Sequence, residues 1–317
     1  MNKQKYILAG ITSVIVVCVI AIVTIIAKSG AFLSFSHLFS YGGDDRALPH
    51  WTVHVMDVGQ GDAIFVEFED GTQILVDGGP DDAVLAELSA VMPPWDRTID
   101  YIVATHPHVD HIGGLIDVLD RYDVANEVFA WVPYPSEAED AFITAVANEG
   151  ARVFDPNDLD RALDGTVKLD VIYPSPEIDI GHIDDVNEDS IVLQISDGAH
   201  SMLLMGDIGE MVETRLLKLG LVSDIDVLKV GHHGSKYSSS REFLEVADPE
   251  VALISAGIDN EYHHPHPTAL KRLEFVGADI FRTDIDGMIT VESYDDGLNI
   301  ATERDTRSIF DYWMRAK

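Results

Sequence analysis

Cysteine is nearly missing from this chain: Cys18 is the single one in 317 residues. No intramolecular disulfide can form, and no closed zinc site built on thiolates is available. Cys18 lies inside an apolar run and follows Val17, not the small residue that a lipid-attachment site requires. Basic residues are also scarce, with 21 Lys and Arg against 55 Asp and Glu and a formal charge of −34. Such a surface does not gather polyanions through its general field. The acidic residues are spread along the chain instead of forming a tail. We read them as adaptation to salty surroundings, where the Debye length shrinks to about 3 Å at 1 M. Avoidance of nucleic acid and anionic membranes is the alternative.

Charge of either sign is absent from residues 6 to 27, "YILAGITSVIVVCVIAIVTIIA". A helix of that length, at about 1.5 Å per residue, crosses a roughly 30 Å hydrocarbon core. Lys3 and Lys5 precede it, so the N-terminus is expected in the cytoplasm and the remainder outside. A cleaved signal sequence, giving a secreted protein, is the competitor; the run is longer than a usual apolar core and no small-x-small site follows. Residues 1–28 are thus expected to be a single-pass membrane anchor, 29–50 a linker, and 51–317 one hydrolytic domain.

From Trp51 onward the pattern is regular. "WTVHVMDVG", "AIFVEF" and "TQILVDGG" read as strands, followed by a helix over 81–91. The cycle continues with a strand at 100–104, a helix at 112–121, a strand at 128–132, a helix at 137–149 and a strand at 151–154. A second half places strands near 167–172, 190–195, 201–205, 226–230 and 251–255, helices at 209–219 and 267–276, and two strands around 279–293. "SIFDYWMRAK" reads as a short terminal helix. Alternation of this kind over roughly 265 residues fits one large α/β domain.

Four polar clusters stand at the ends of these strands, where α/β domains commonly place their sites. "HPHVDH" contributes His106, His108, Asp110 and His111; "LLMGDI" contributes Asp207; "LKVGHHGSKYS" contributes His232 and His233; "NEYHHPHP" contributes His264 and His266. Imidazole and carboxylate suit a borderline divalent ion, zinc first and manganese or iron next. His106 and His108 alternate along an extended segment and can share one ion, while Asp110 and His111 can share a second. Asp207 has two oxygens with which to bridge. Two ions roughly 3.5–4 Å apart can generate hydroxide at neutral pH and clamp an in-line displacement. Asp110 is also placed to orient the attacking water. Lys236, beside a run of hydroxyls, suits a phosphate oxygen. His264 and His266 suit proton donation to a leaving group or a hold on phosphate. Asn260 and Tyr262 are expected along the same cleft.

"HPHVDH" resembles the first signature of the metallo-β-lactamase superfamily, with Asp57 and Asp77 where that fold often carries aspartates. The finer resemblance is to the C-terminal domain of the competence protein ComEC and its stand-alone relatives. It rests on "VHVMDVGQGDAIFVE", "VDGG", "THPHVDHIGGL", "NEDSIVLQI", "LLMGDI", "DVLKVGHHGSKYSSS", "HPHP" and "RTDIDG" in that order, over about residues 51 to 293. The resemblance implies an αββα four-layer sandwich with a two-metal site along one edge. His106 and His108 match ligands of the first ion, Asp110 and His111 those of the second, and Asp207 the bridge. The last ligand falls in "HHG", where His233 is favoured over His232. Most members place a third histidine on the first ion; here "NEDS" supplies Asn187 and Ser190 instead, and His182 lies nearby but outside the motif.

The implied activity is that of a metal-dependent phosphodiesterase, a nuclease acting on single-stranded DNA outside the membrane. ComEC-like domains serve DNA uptake; with a single apolar run read in this sequence, a separate channel protein is the expectation for any such role. A small-ester or lactone hydrolase and an inactive metal-binding accessory module are the alternatives, since fold alone does not fix function.

Overall fold

The computed structural model describes residues 48–129, 134–161, 167–174 and 185–304. The apolar run 6–27, nearly all of the 29–50 linker, His182 and the C-terminal "SIFDYWMRAK" lie outside the described residues. Among the described residues no helix is long and apolar enough to cross a membrane.

Two mixed sheets form the protein. The first has eight strands in the order β14-β13-β1-β2-β3-β4-β5-β6. It comprises β1 (Trp51–Val55), β2 (Ile64–Phe68), β3 (Gln73–Val76), β4 (Thr98–Ala104), β5 (Asp123–Phe129), β6 (Arg152–Phe154), β13 (Ile289–Tyr294) and β14 (Gly297–Thr302). The second has six strands in the order β12-β11-β10-β9-β8-β7. They are β7 (Lys168–Tyr173), β8 (Val192–Ser196), β9 (Ser201–Leu204), β10 (Val227–Lys229), β11 (Val251–Ile254) and β12 (Asp279–Arg282). In each sheet an antiparallel portion passes into a parallel one, β3-β4-β5-β6 in the first and β9-β10-β11-β12 in the second. The parallel strands are joined through helices, as crossover geometry requires.

Strand periodicity sorts the side chains into layers. Val53, Val55, Ile64, Val66, Ile74 and Val76 point inward and meet Leu193, Ile195, Met202, Leu204, Val227 and Leu253 of the other sheet in a common core. Phe65 and Leu75, one residue out of phase, pack instead against Val84, Leu88, Ile112, Leu115 and Phe142. Those residues belong to α1 (Ala83–Val91), α2 (Val109–Leu119) and α3 (Glu137–Glu149). Leu203, Leu228 and Ala252 likewise face Val212, Leu216, Phe243 and Leu273, from α4 (Glu210–Leu219), α5 (Arg241–Ala247) and α6 (Pro267–Val276). Helices therefore cover both outer faces of a two-sheet core, giving the αββα order.

Three features depart from the periodicity reading. The strand placed at 128–132 begins earlier, at Asp123, and pairs with β4 from Thr98. Helix α5, seven residues capped by Ser240, falls where no helix was expected. Strand β14 pairs with β13 across a tight turn and closes the edge of the first sheet. A single helical turn, α7 (Thr283–Asp286), separates β12 from β13.

Candidate metal centre

The polar side chains gather where the parallel strands of both sheets end. β4 leads into Thr105 and His106, and α2 opens at Val109, so Asp110 and His111 occupy its first turn. A carboxylate is favoured there by the exposed N–H groups and the helix dipole. β9 leads to Asp207, β10 to His232 and His233, and β11 to the loop that carries His264. The segment following β1 supplies Asp62, and the residue after β3 is Asp77.

Close backbone packing sets these positions. A side chain at Gly61 would place its Cβ 2.1 Å from the Asp110 carbonyl oxygen, and the Asp62 N–H donates to that same oxygen at 3.2 Å. At Gly114 a Cβ would lie 2.0 Å from the Gly78 carbonyl oxygen, while Gly78 N–H donates to His111 O at 2.7 Å. Only glycine lets α2 approach the 78–81 turn this closely. His232 and His233 both take left-handed backbone angles, φ 48° and 52°. Two consecutive non-glycine residues in that region carry strain of the kind found at functional sites.

Asp207 lies at the centre. Its Oδ2 is 3.4 Å from His111 Nε2, 3.4 Å from His233 Nε2, 3.8 Å from His232 Nε2 and 4.0 Å from His106 Nε2. Asp110 Oδ2 lies 3.5 Å from His233 Nε2 and 4.0 Å from His111 Nε2. His106, His111 and Asp207 form one convergent group, and Asp110, His111 and His233 another. His108 stands beside them, its Nδ1 3.1 Å from His106 Nε2 and its ring edge-on to Tyr134. His111 Nε2, His233 Nε2 and Asp207 Oδ1 are buried without a hydrogen-bond partner among the described residues. Buried polar atoms are nearly always satisfied, so orphaned atoms on three residues of these convergent groups fit a divalent ion.

Outer partners orient the imidazoles. Asp77 Oδ2 accepts from His111 Nδ1 at 2.8 Å, and Asp77 is itself held by the Thr105 N–H and hydroxyl at 2.8 and 2.7 Å. Asp62 Oδ1 lies 3.3 Å from His233 Nδ1, while its Oδ2 accepts from Lys229 Nζ at 2.6 Å. Both members of this ion pair are buried, Lys229 at 0% and Asp62 at 1% exposure. In each case Nδ1 faces one carboxylate and Nε2 is left to face Asp207 and Asp110, the usual support of a metal-binding histidine.

The charges follow. Burial pushes the Asp207 carboxyl up, but His233 and His111 outweigh it and hold it well below the usual range. Burial opposes ionisation of Asp62 too, yet Lys229 and then His233 keep it low. Asp110, where burial is overcome by His233 and His111, falls to about 2. His106 is pushed well down by burial and by His111. Burial also disfavours the charged form of His233, but Asp207 and Asp62 raise it to about 10 when no ion competes.

The open cleft above these groups has a volume of about 390 Å³, and His108, Asp110, Asn187, His232, Tyr262 and His264 are among its lining residues. Burial and the neighbouring His232 lower His264 to about 4, so it is a neutral imidazole near pH 7. Asn260 clamps its loop, donating to Gly257 O and His264 O and accepting from His264 N–H. Of the two residues that "NEDS" supplies, Asn187 lines the cleft and Ser190 stands behind Asp207. Ser190 Oγ accepts from Asp207 N–H at 3.0 Å and donates to Asn187 O, so it positions the central carboxylate from behind.

Three sequence expectations meet a different placement. Lys236 is exposed, with its Nζ 4.8 Å over the Tyr237 ring, and does not line the cleft. His266 caps α6, its Nδ1 accepting from Thr268 N–H at 3.1 Å, and also stays out of the lining. Asp57, where the fold often carries an aspartate, pairs instead with Arg304 at 2.5 Å. Asp62 and Lys229 escaped the sequence reading. Their signals were an aspartate after "GQG" and a lone lysine inside the apolar "VLKV" strand.

The sequence profile of the metallo-β-lactamase superfamily matches residues 56–258, and the chain belongs to that superfamily. Divalent-metal binding and hydrolysis are what this class of fold and site defines. Within it the chain is similar to competence proteins. It is 28% identical over 260 residues to ComE operon protein 3 of Bacillus subtilis, covering 75% of this chain and 32% of that protein. It is 31% identical over 264 residues to Recombination protein 2 of Haemophilus influenzae, covering 81% and 30%. The chain thus spans about a third of the length of these curated relatives. Among solved structures, a long form RNase Z from yeast shares the fold, with a TM-score of 0.50 at 12% identity over 83% of this chain and 45% of that one.

Proposed function

We propose that this metal-dependent hydrolase is a phosphodiesterase, a nuclease with single-stranded DNA as its first candidate substrate. The observation that carries the reading is the convergence of buried, unsatisfied His111 Nε2, His233 Nε2 and Asp207 Oδ1 at the floor of an open cleft. His106, His108, Asp110, His111, Asp207 and His233 would hold two divalent ions, zinc foremost. When bound, such ions supply a nucleophile at neutral pH and stabilise charge on phosphoryl oxygens. Asp77 and Asp62 keep the Nε2 atoms of His111 and His233 directed into the cleft. Asp110, in the first turn of α2, would accept a hydrogen bond from the attacking water. His264, as a neutral imidazole, offers a hydrogen bond to a phosphoryl or leaving oxygen, not a charge.

The reading also places residues 6–27 in the membrane and the catalytic domain outside it, with any role in DNA uptake depending on a separate channel protein. Hydrolysis of a small ester or lactone is the second reading. One observation favours it: no lysine or arginine is among the described residues lining the cleft.

The test uses the full chain in detergent at high salt. Bound metal is measured, and single-stranded DNA, a generic phosphodiester and a generic ester are assayed, with Asp207→Ala and His108→Ala alongside. Diester cleavage lost in both variants, with metal content reduced in the first, supports the proposal. Ester-only turnover supports the second reading, and stoichiometric metal without turnover points to an accessory module.

A further inference from the structure

Tyr262 is 67% exposed, although its side chain is one of the large apolar surfaces that folding normally covers. It is not a loose loop residue. The segment around it is fixed by Asn260, whose side chain donates to Gly257 O at 2.8 Å and His264 O at 2.6 Å and accepts from His264 N–H at 2.9 Å. Gly257 N–H in turn donates to Gln60 Oε1 across the cleft, at 3.2 Å. One face of the Tyr262 ring rests on His264, centroids 5.9 Å apart and planes at 27°. Tyr262 is itself one of the residues lining the cleft. Val109, 53% exposed, and Tyr134, edge-on to His108, stand along the same lining.

The charge balance sharpens what such a wall is for. A protein that captures a nucleic-acid strand ordinarily releases counterions from phosphates through lysine and arginine. Here the chain carries −34, and no basic side chain other than histidine is among the described residues lining the cleft. Binding energy for the organic part of a phosphodiester must therefore come from contacts that salt does not weaken. Stacking on a pre-positioned aromatic ring is such a contact, and it costs little ordering entropy because the loop is already clamped.

We propose that Tyr262, backed by His264, is a stacking platform for an unpaired nucleobase adjoining the phosphate held over the metal centre. The proposal rests on the phosphodiesterase reading and narrows the substrate to single-stranded nucleic acid or its ends. A base inside a duplex has no free face to offer, so paired substrates bind through their frayed ends alone.

The test measures binding separately from cleavage. A short phosphorothioate thymidine oligomer, which resists hydrolysis, and the same backbone lacking bases are titrated by fluorescence anisotropy into the metal-loaded full chain. The expected result is that the base-bearing strand binds about 5- to 150-fold tighter, the range of one stacked base. That preference should collapse toward unity in Tyr262→Ala and persist in Tyr262→Phe and Tyr262→Trp. It should change little between about 0.1 M and about 2 M salt, because both strands carry the same phosphates and a stacked base adds no counterion release. Equal binding of the two strands, no binding of either, or a preference unchanged in Tyr262→Ala overturns the proposal. Cleavage of phosphodiesters is assayed in parallel. Its absence, with the base preference intact, strikes the functional reading and leaves the platform standing.

Discussion

Lys229→Met removes the cation from a buried pair without changing the volume of the strand much. Lys229 is fully buried in the second sheet, and its Nζ meets Asp62 Oδ2 at 2.6 Å. Breaking such a pair by deleting one partner costs about 3–5 kcal/mol, because the surviving charge keeps its desolvation penalty. At roughly 2–4 °C per kcal/mol for a domain of this size, the melting temperature should fall by about 6–20 °C. His233 Nδ1, 3.3 Å from Asp62 Oδ1, leaves the surviving carboxylate one partner, so the loss should sit toward the lower end. With metal bound, Nδ1–H still faces Asp62 and the ion adds positive charge nearby, so the loss should be no larger. Thermal unfolding of wild type and variant, with chelator and with zinc, gives both numbers. The double variant Lys229→Met/Asp62→Asn should recover about half of the deficit, since neither partner remains as a buried charge. A single variant that melts within about 2 °C of wild type in both conditions would falsify the assignment of this pair as a buried, stabilising contact.

Asp77→Asn removes the carboxylate that faces His111 Nδ1 and the Thr105 donors; metal affinity should drop about 10- to 100-fold in competition with a chromophoric chelator. Gly114→Ala drives a methyl group to 2.0 Å from Gly78 O and 2.4 Å from Asp81 O. Neither backbone atom can retreat, so denaturant melts should show a loss of about 3 kcal/mol or more. Glu213, buried in α4 and bonded to the N–H groups of Ser239 and Ser240, is raised by burial to about 7. A carboxyl raised above its unfolded value stabilises below that value, and the contribution is lost as pH rises through the folded one. Between about pH 5 and about pH 8 the wild type should therefore lose about 2–3 kcal/mol relative to Glu213→Gln in urea melts.

The parts of the centre that were legible share one property: the chemistry is concentrated in a few consecutive residues. "HPHVDH" places four candidate ligands in a strand end and one helical turn, and no ordinary core has use for them there. Asp207 and the paired histidines likewise follow apolar strands that announce their own ends. Asp62 was hidden because an aspartate amid "GQGD" reads as a turn, and only packing against Asp110 shows that it is buried. Lys229 was hidden because one charged residue in a three-residue strand leaves periodicity undisturbed. Lys236 and His266 fall outside the cleft lining for the opposite reason. Neighbourhood in sequence suggested a shared cleft, but the turn after Gly234 directs Lys236 outward, and the start of α6 uses His266 as a cap. Helix α5 was missed because seven residues make barely two turns, too short for a 3.6-residue period to stand out. Strand β14 alternates Leu298 and Ile300 with Asn299 and Ala301, a weak signal in so short a stretch.

The convergent atoms come from both sheets: His106, Asp110 and His111 follow the first, Asp207 and His233 the second. An ion gripped by both halves would be a thermodynamic tie across the core, and its loss would be felt far from the cleft. At a free concentration 100 times its Kd, such an ion adds about 2.7 kcal/mol to the state that keeps the two edges together. Chelation and unfolding would then be linked, each readable as a shift in the other.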